Sequence, residues 1–137
     1  MEDAKKYTAE ILSSVVLINN KKGGFTISQL PSQVQRSPVF SFFTADFNQD
    51  GLTDILAAGN FYGVLPYEGR YDAGYGTVML NENNTGFKIP NTLQTGFMID
   101  GEVRDIRMIK TIQGKKMIAV ARNNNSVRFF TLSTLSD

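Results

Sequence analysis

Between Thr44 and Asp54 the chain reads TADFNQDGLTD, and Asp46, Asn48, Asp50 and Asp54 set three carboxylates and an amide at relative positions one, three, five and nine. Gly51 follows at position six, where a chain that bends sharply back favours a residue without a Cβ, and Leu52 at position seven offers its carbonyl. Ca²⁺ takes about six to eight hard oxygen ligands at roughly 2.3–2.6 Å. The donor set is therefore that of a loop wrapping one calcium ion through Asp46, Asn48, Asp50, the Leu52 carbonyl and Asp54. An EF-hand needs a bidentate Glu at position twelve and flanking helices; position twelve here is Ala57, and the flanks have strand character. The same residue types also build a plain Asx-rich hairpin turn that needs no metal, and the sequence leaves both readings open.

Other chemistry is sparse. The 137 residues contain no cysteine and no histidine, which removes disulfides, thiolate nucleophiles, Cys/His zinc sites and every His-based acid, base or triad. Fourteen basic against thirteen acidic residues leave a formal charge of +1, so no global field recruits nucleic acid or an anionic membrane. No stretch has the apolar length of a transmembrane segment, and MEDAKKYTAE at the start is too charged for a signal-peptide core. An enzymatic reading has only Glu68, Asp72, Glu102 and Asp105 to draw a carboxylate pair from, as in glycoside hydrolysis. Their spacing singles out no pair, and a non-catalytic module is expected.

A second cluster is aromatic. NFYGVLPYEGRYDAGYG (Asn60–Gly76) holds four of the five tyrosines, Tyr62, Tyr67, Tyr71 and Tyr75, beside Phe61 and Arg70. Tyr and Arg concentrate binding energy at interfaces because they offer large area with few rotatable bonds and a polar tip. The plainer reading folds the tyrosines back over sheet edges, with an Arg70–Asp72 pair holding the turn. Arg104, Asp105 and Arg107 read as a solvated strand face or a local ion pair.

The elements that must position these residues are strands. VLINNKKGGFTI (Val16–Ile27) aligns with VMLNENNTGFKI (Val78–Ile89) at an offset of 62; DILAAGN (Asp54–Asn60) is echoed by MIAVARN (Met117–Asn123) at 63, and Val39 by Val103 at 64. Similarity at a fixed period marks a repeat architecture, and small drifts in offset are loop insertions. Short runs rich in Val, Ile, Phe and Thr, punctuated by NNKKGG, NQDG, NENNTG and IQGKK, are strand and hairpin signals. They predict strands near 15–19, 25–28, 39–45, 54–59, 77–81, 87–89, 103–110, 117–122 and 126–131. Ala4, Tyr7, Thr8, Ile11 and Leu12 have helical spacing but no cap, and the segment runs into β-branched residues, so a helix is not favoured there. VFSFF and MIAVA are apolar on both faces, as strands sandwiched between sheets are; a β-sandwich predicts cleaner alternation.

With the loop, the repeat and the Asn/Gly/Phe turn in view, the chain resembles FG-GAP/VCBS-type repeats, the blades of integrin-α-like β-propellers, over about residues 13–131. Asp46, Asn48, Asp50, Gly51 and Asp54 match the family's calcium loop, Ile55–Ala58 the strand after it, and Asn81–Phe87 the later turn. LPSQVQRSP, AGNFYG, GRYDAGYG, GEVRDIR and VARNNNSVRFF resemble the last blades of bacterial secreted VCBS and ASPIC/UnbV-type proteins. The copy after Val103 departs from the pattern, with TIQGKK in place of the calcium loop, and the literal FG and GAP triplets do not occur. The resemblance implies an all-β fragment of about two propeller blades: residues 1–38 as outer strands of a preceding blade, 39–96 as a complete blade with a structural calcium, and 97–137 as an incomplete blade without one. It implies a secreted or cell-surface module that binds a protein or glycan, or spaces other domains. Because a propeller closes with about four to eight blades, an isolated pair should leave sheet surface uncovered and tend to form a homodimer; a self-contained β domain is the alternative.

Overall fold

The computed structural model describes residues 5–83 and 86–132 and divides into two compact units, Met1–Leu30 and Pro31–Asp137. All its sheets are antiparallel. Residues 5–14 form no helix, in keeping with the absent cap.

The first unit is a hairpin of β1 (Val15–Asn19) and β2 (Phe25–Gln29), with Asn19 opposite Phe25. Its turn uses the side chains that cluster there: Asn19 Oδ1 accepts from the Lys21 N–H, and Asn20 Oδ1 from the Lys22 and Gly24 N–H groups. Such Asx contacts satisfy donors that a tight turn would otherwise strand.

The second unit carries two sheets. The first, in strand order, is β3 (Val39–Ala45), β4 (Asp54–Gly59), β5 (Thr77–Asn81) and β6 (Phe87–Lys88); the second is β7 (Val103–Lys110), β8 (Lys116–Arg122) and β9 (Arg128–Thr131). β9 starts at Arg128, two residues later than its sequence suggests. Asn124 adopts a positive φ, and the Arg122 guanidinium holds the Ser126 carbonyl at 2.9 Å, so residues 123–126 turn instead of extending. Two short helical pieces went unforeseen: a 3₁₀ turn (Ser32–Gln35) and α1 (Thr92–Thr95), the latter closed by an Asn91/Gln94 capping box and a left-handed Gly96.

The sequence repeat is also a repeat of register. Asn81 lies opposite Phe87 as Asn19 lies opposite Phe25, and Glu82 donates to the Gly86 carbonyl at 3.0 Å as Asn20 donates to Gly24 at 3.0 Å. Residues 84 and 85 of the NENNTG turn lie outside the described residues. The pairings β3·β4 and β7·β8 both slip at their start, between Val39 and Ser41 and between Val103 and Asp105. After both pairs an Asn closes the turn, Asn60 N–H to Pro38 and Asn123 N–H to Glu102.

The core of this unit lies between its sheets. Leu56 and Ala58 of β4 meet Val103 and Ile106 of β7 and Ile118 and Val120 of β8, while Phe97 and Ile99, just before β7, fill the seam, and Phe43, Phe47, Val78 and Phe130 pack around it. Phe97 and Phe130 sit with ring centroids 4.5 Å apart. Burial of each such side chain contributes about 1.5–3 kcal/mol. Ser41, itself buried, accepts the Ile106 N–H at 3.0 Å and so bonds one sheet to the other. Among the described residues no helix is long and apolar enough to cross a membrane.

Candidate functional site

The TADFNQDGLTD loop joins β3 to β4, as its residues predict, and its polar side chains fold it. Asp46 Oδ1 accepts from the Asp50 N–H at 3.1 Å and Oδ2 from the Gly51 N–H at 2.9 Å, which curls the backbone around the first carboxylate. Gln49 and Gly51 take positive φ of 63° and 85° at the tip. Asp50 Oδ1 accepts from the Leu52 N–H at 2.7 Å, and the Asn48 amide donates to Asp50 Oδ2 at 2.8 Å.

Asp54 plays a different part. It is fully buried at the first residue of β4, and its oxygens accept from Phe47 N–H and Asn81 N–H, both at 2.8 Å. The Asn81 amide in turn donates to the Thr53 carbonyl at 3.2 Å. One carboxylate thus ties the loop, β4 and β5 together. Asn81 was legible only as part of a turn; its bond to a residue 27 positions earlier left no sequence signal.

Asp46, Asn48, Asp50, Asp54 and the Leu52 carbonyl supply hard oxygens, the donor chemistry calcium selects. Among the described residues no group of three or more Asp and Glu side chains converges closely enough to hold a metal ion. Asn48 Oδ1 meanwhile accepts the Asp50 N–H at 3.4 Å. A hollow of about 610 Å³ borders the loop, lined by Asn48, Asp50 and Leu52 and by Asn81, Glu82 and Lys88 across from them. In the later copy, TIQGKK closes as a tight turn on Thr111, whose N–H donates to the Lys115 carbonyl and whose Oγ1 accepts the Lys115 N–H.

The aromatic loop is pinned at its neck and open at its tip. Phe61 and Tyr71 exchange both backbone bonds, and the buried Asn60 clamps the base with its amide, donating to Gly74 and Gly101 carbonyls and accepting the Gly74 N–H. Tyr67 is 82% exposed, Tyr71 51% and Tyr75 55%. Tyr62 is half-buried, with the Arg70 guanidinium 4.8 Å from its ring centroid. Arg70 therefore stacks on an aromatic face, and no Arg70–Asp72 ion pair occurs among the described residues.

The four acids considered for catalysis sit in different surroundings. Glu68 and Asp72 lie exposed on the aromatic loop. Glu102 is buried and spends its carboxylate on the fold: Oε1 accepts from Tyr62 N–H and the Arg104 guanidinium, both at 2.8 Å, and Oε2 from the Asn123 amide at 2.8 Å. The Tyr62 and Asn123 bonds hold its pKa below the ordinary carboxylate value against the opposing effect of burial, and Arg104 adds to the lowering. Arg104 also lies 4.2 Å from the Phe40 ring centroid. Asp105 and Arg107 form the expected exposed ion pair at 2.9 Å, with Arg107 the main cause of a lowered Asp105 pKa.

No protein-family model, curated protein or solved structure matches the chain.

Proposed function

We propose that the chain is a non-catalytic binding or scaffold module, made of FG-GAP/VCBS-like propeller blades and stabilised by one calcium ion in the β3–β4 loop. The observation that carries this reading is the curl of residues 46–54, in which Asp46 caps the N–H groups of Asp50 and Gly51 and gathers the oxygen-bearing side chains into a single turn between two strands. Asp46, Asn48, Asp50, Asp54 and the Leu52 carbonyl would hold the ion. The ion's chemistry there is structural: it neutralises carboxylates that otherwise repel, and its protein ligands all come from one hairpin. The common register and the common bulge of β3·β4 and β7·β8 support the blade assignment.

On this reading the parent protein is secreted or displayed at the cell surface, and the partner is a protein or glycan. The exposed Tyr67, Tyr71 and Tyr75, with the Arg70–Tyr62 stack at the loop's flank, are the surface that would meet it. Titration calorimetry with Ca²⁺, repeated with Mg²⁺, tests the metal assignment. One saturable Ca²⁺ site, with Mg²⁺ much weaker, is expected; no heat and no binding in either titration overturns it.

A further inference from the structure

The chain contains two Asp–Gly steps, Asp50–Gly51 and Asp100–Gly101. At such a step the aspartate side chain can close on the backbone, because the next nitrogen belongs to a residue with no Cβ to obstruct the approach. The glycine nitrogen attacks Cγ of the aspartate, the N–H proton and the hydroxyl of the protonated carboxyl leave as water, and a succinimide remains. Water then adds to one of its two carbonyls. Opening at Cγ restores aspartate. Opening at the α-carbonyl gives isoaspartate, in which the chain runs through Cβ and Cγ and the former main-chain carbonyl becomes the free carboxylate. The two steps together change no mass and need no reactant but water.

The two steps stand in opposite surroundings. Gly101 is buried and its carbonyl accepts the Asn60 amide at 3.1 Å, while Asp100 Oδ1 pairs at 2.7 Å with the guanidinium of Arg122, itself buried. Asp50 and Gly51 are both exposed, and the space beside Gly51 is open. Only the loop's own bonds hold them. Asp46 accepts the Asp50 N–H at 3.1 Å and the Gly51 N–H at 2.9 Å, and the Asp50 oxygens accept the Leu52 N–H at 2.7 Å and the Asn48 amide at 2.8 Å. Ring closure works against these bonds: the Gly51 nitrogen must give up the proton it donates to Asp46, and the Asp50 carboxyl must leave Leu52 and Asn48 to reach that nitrogen.

We propose that Asp50 is a latent site of isoaspartate formation and that the Asp46 carboxylate keeps it closed. Asp46 holds the attacking atom itself, and by bonding the N–H groups on both sides of the Asp50 Cα it fixes the backbone that would have to turn for the ring to form. Conversion would insert a methylene into the backbone at the tip of the β3–β4 loop and move the carboxylate, so that the Leu52 N–H and the Asn48 amide lose their acceptor. Asp46 thereby preserves the covalent backbone of the loop whether or not an ion binds there, and the inference does not rest on the calcium reading. Asp100–Gly101, fixed by Arg122 and Asn60, is the internal control.

The experiment is incubation of the full chain in heavy-oxygen water with chelator present, followed by proteolysis and mass spectrometry. Each succinimide that hydrolyses incorporates one labelled oxygen, and transfer of a labelled methyl group by an isoaspartyl methyltransferase reports the isoaspartate. A synthetic peptide TADFNQDGLTD, with and without Asp46→Ala, gives the rate of the unfolded loop. The parent chain should label at Asp50 far more slowly than the peptide. Asp46→Ala in the full chain should speed labelling at Asp50 by on the order of tenfold to a hundredfold, the factor carried by one hydrogen bond to a charged group, and leave both Asp100 and the peptide unchanged. Asp46→Asn, which keeps one acceptor oxygen, should fall between, and it replaces Asp46→Ala where circular dichroism shows that variant unfolded. A parent chain that labels at the peptide's rate, a folded Asp46→Ala chain that labels at the parent's rate, or Asp50 and Asp100 accelerating together in both variants overturns the proposal.

Discussion

The Asp54 carboxylate accepts the Asn81 backbone N–H at 2.8 Å, joining residues 27 positions apart while its other oxygen holds the Phe47 N–H. A buried carboxylate bonded to the loop backbone at Phe47 and to β5 at Asn81 organises the loop from below, whatever the loop's upper oxygens bind. Asp54→Asn places an NH₂ against one of those N–H donors and leaves it unpaired, at about 2–3 kcal/mol. Denaturant unfolding in excess chelator should record that loss; an unchanged midpoint would show that the carboxylate is not structural.

Gly76 adopts φ 76°, and a Cβ there would lie 2.5 Å from the Phe97 ring and 2.9 Å from Ile99. Gly76→Ala meets both backbone strain and overpacking against the core, and should cost about 1–3 kcal/mol. Gly69→Ala, at φ 75° with open space around it, isolates the backbone component. Thermal melts of the two variants should differ, with Gly76→Ala the lower.

Glu102 contributes to the pH dependence of stability. Its carboxyl is held below its ordinary value of 4.5, chiefly by the Tyr62 N–H and the Asn123 amide. A carboxyl lowered in the folded state binds fewer protons than in the unfolded chain, so its stabilisation is full above 4.5 and is lost as pH falls through the folded value. Glu102→Gln should be destabilised at neutral pH by about 1–3 kcal/mol and should lose less stability than the parent chain on going from pH 6 to pH 3. Parallel curves for the two proteins would contradict this.

The aromatic loop separates binding from folding. Tyr67→Ala removes a side chain that is 82% exposed, so unfolding free energy should stay within about 0.5 kcal/mol of the parent. Asn60→Ala removes the clamp at the loop's base and leaves the Gly74 and Gly101 groups without it, and should cost about 1–3 kcal/mol. Chemical denaturation of both variants checks the contrast; a large loss for Tyr67→Ala would mean that the loop packs through its tip.

The strands were legible because their signals are local. Val, Ile and Phe runs between Asn/Gly/Asp clusters fix β3, β4, β5 and β7 to the residue, and the repeat offset carries over as shared register. What sequence could not supply were partners distant along the chain. Nothing near Asn60 points to Gly101, 41 residues on, nor does Glu102 announce Tyr62, 40 residues earlier. Asn91, Gln94 and Gly96 were available as capping signals for α1, but one turn of helix leaves no periodicity to find. In the opening loop the residues gave the turn and the donor chemistry, while the burial of Asp54 emerged only once β5 was in place beside it.

The measurement that bears most directly on the central claim is the thermal midpoint of the chain in millimolar Ca²⁺ and in chelator, for the parent and for Asp50→Ala. Ligand that binds only the folded state stabilises it by RT ln(1 + [L]/Kd), about 2.7 kcal/mol when free calcium is 100-fold above Kd. The parent midpoint should rise with calcium in proportion to the logarithm of its concentration, and the Asp50→Ala midpoint should not move. A parent midpoint indifferent to chelator, or an Asp50→Ala chain that keeps the full calcium response, would contradict the assignment of residues 46–54 as the ion's site.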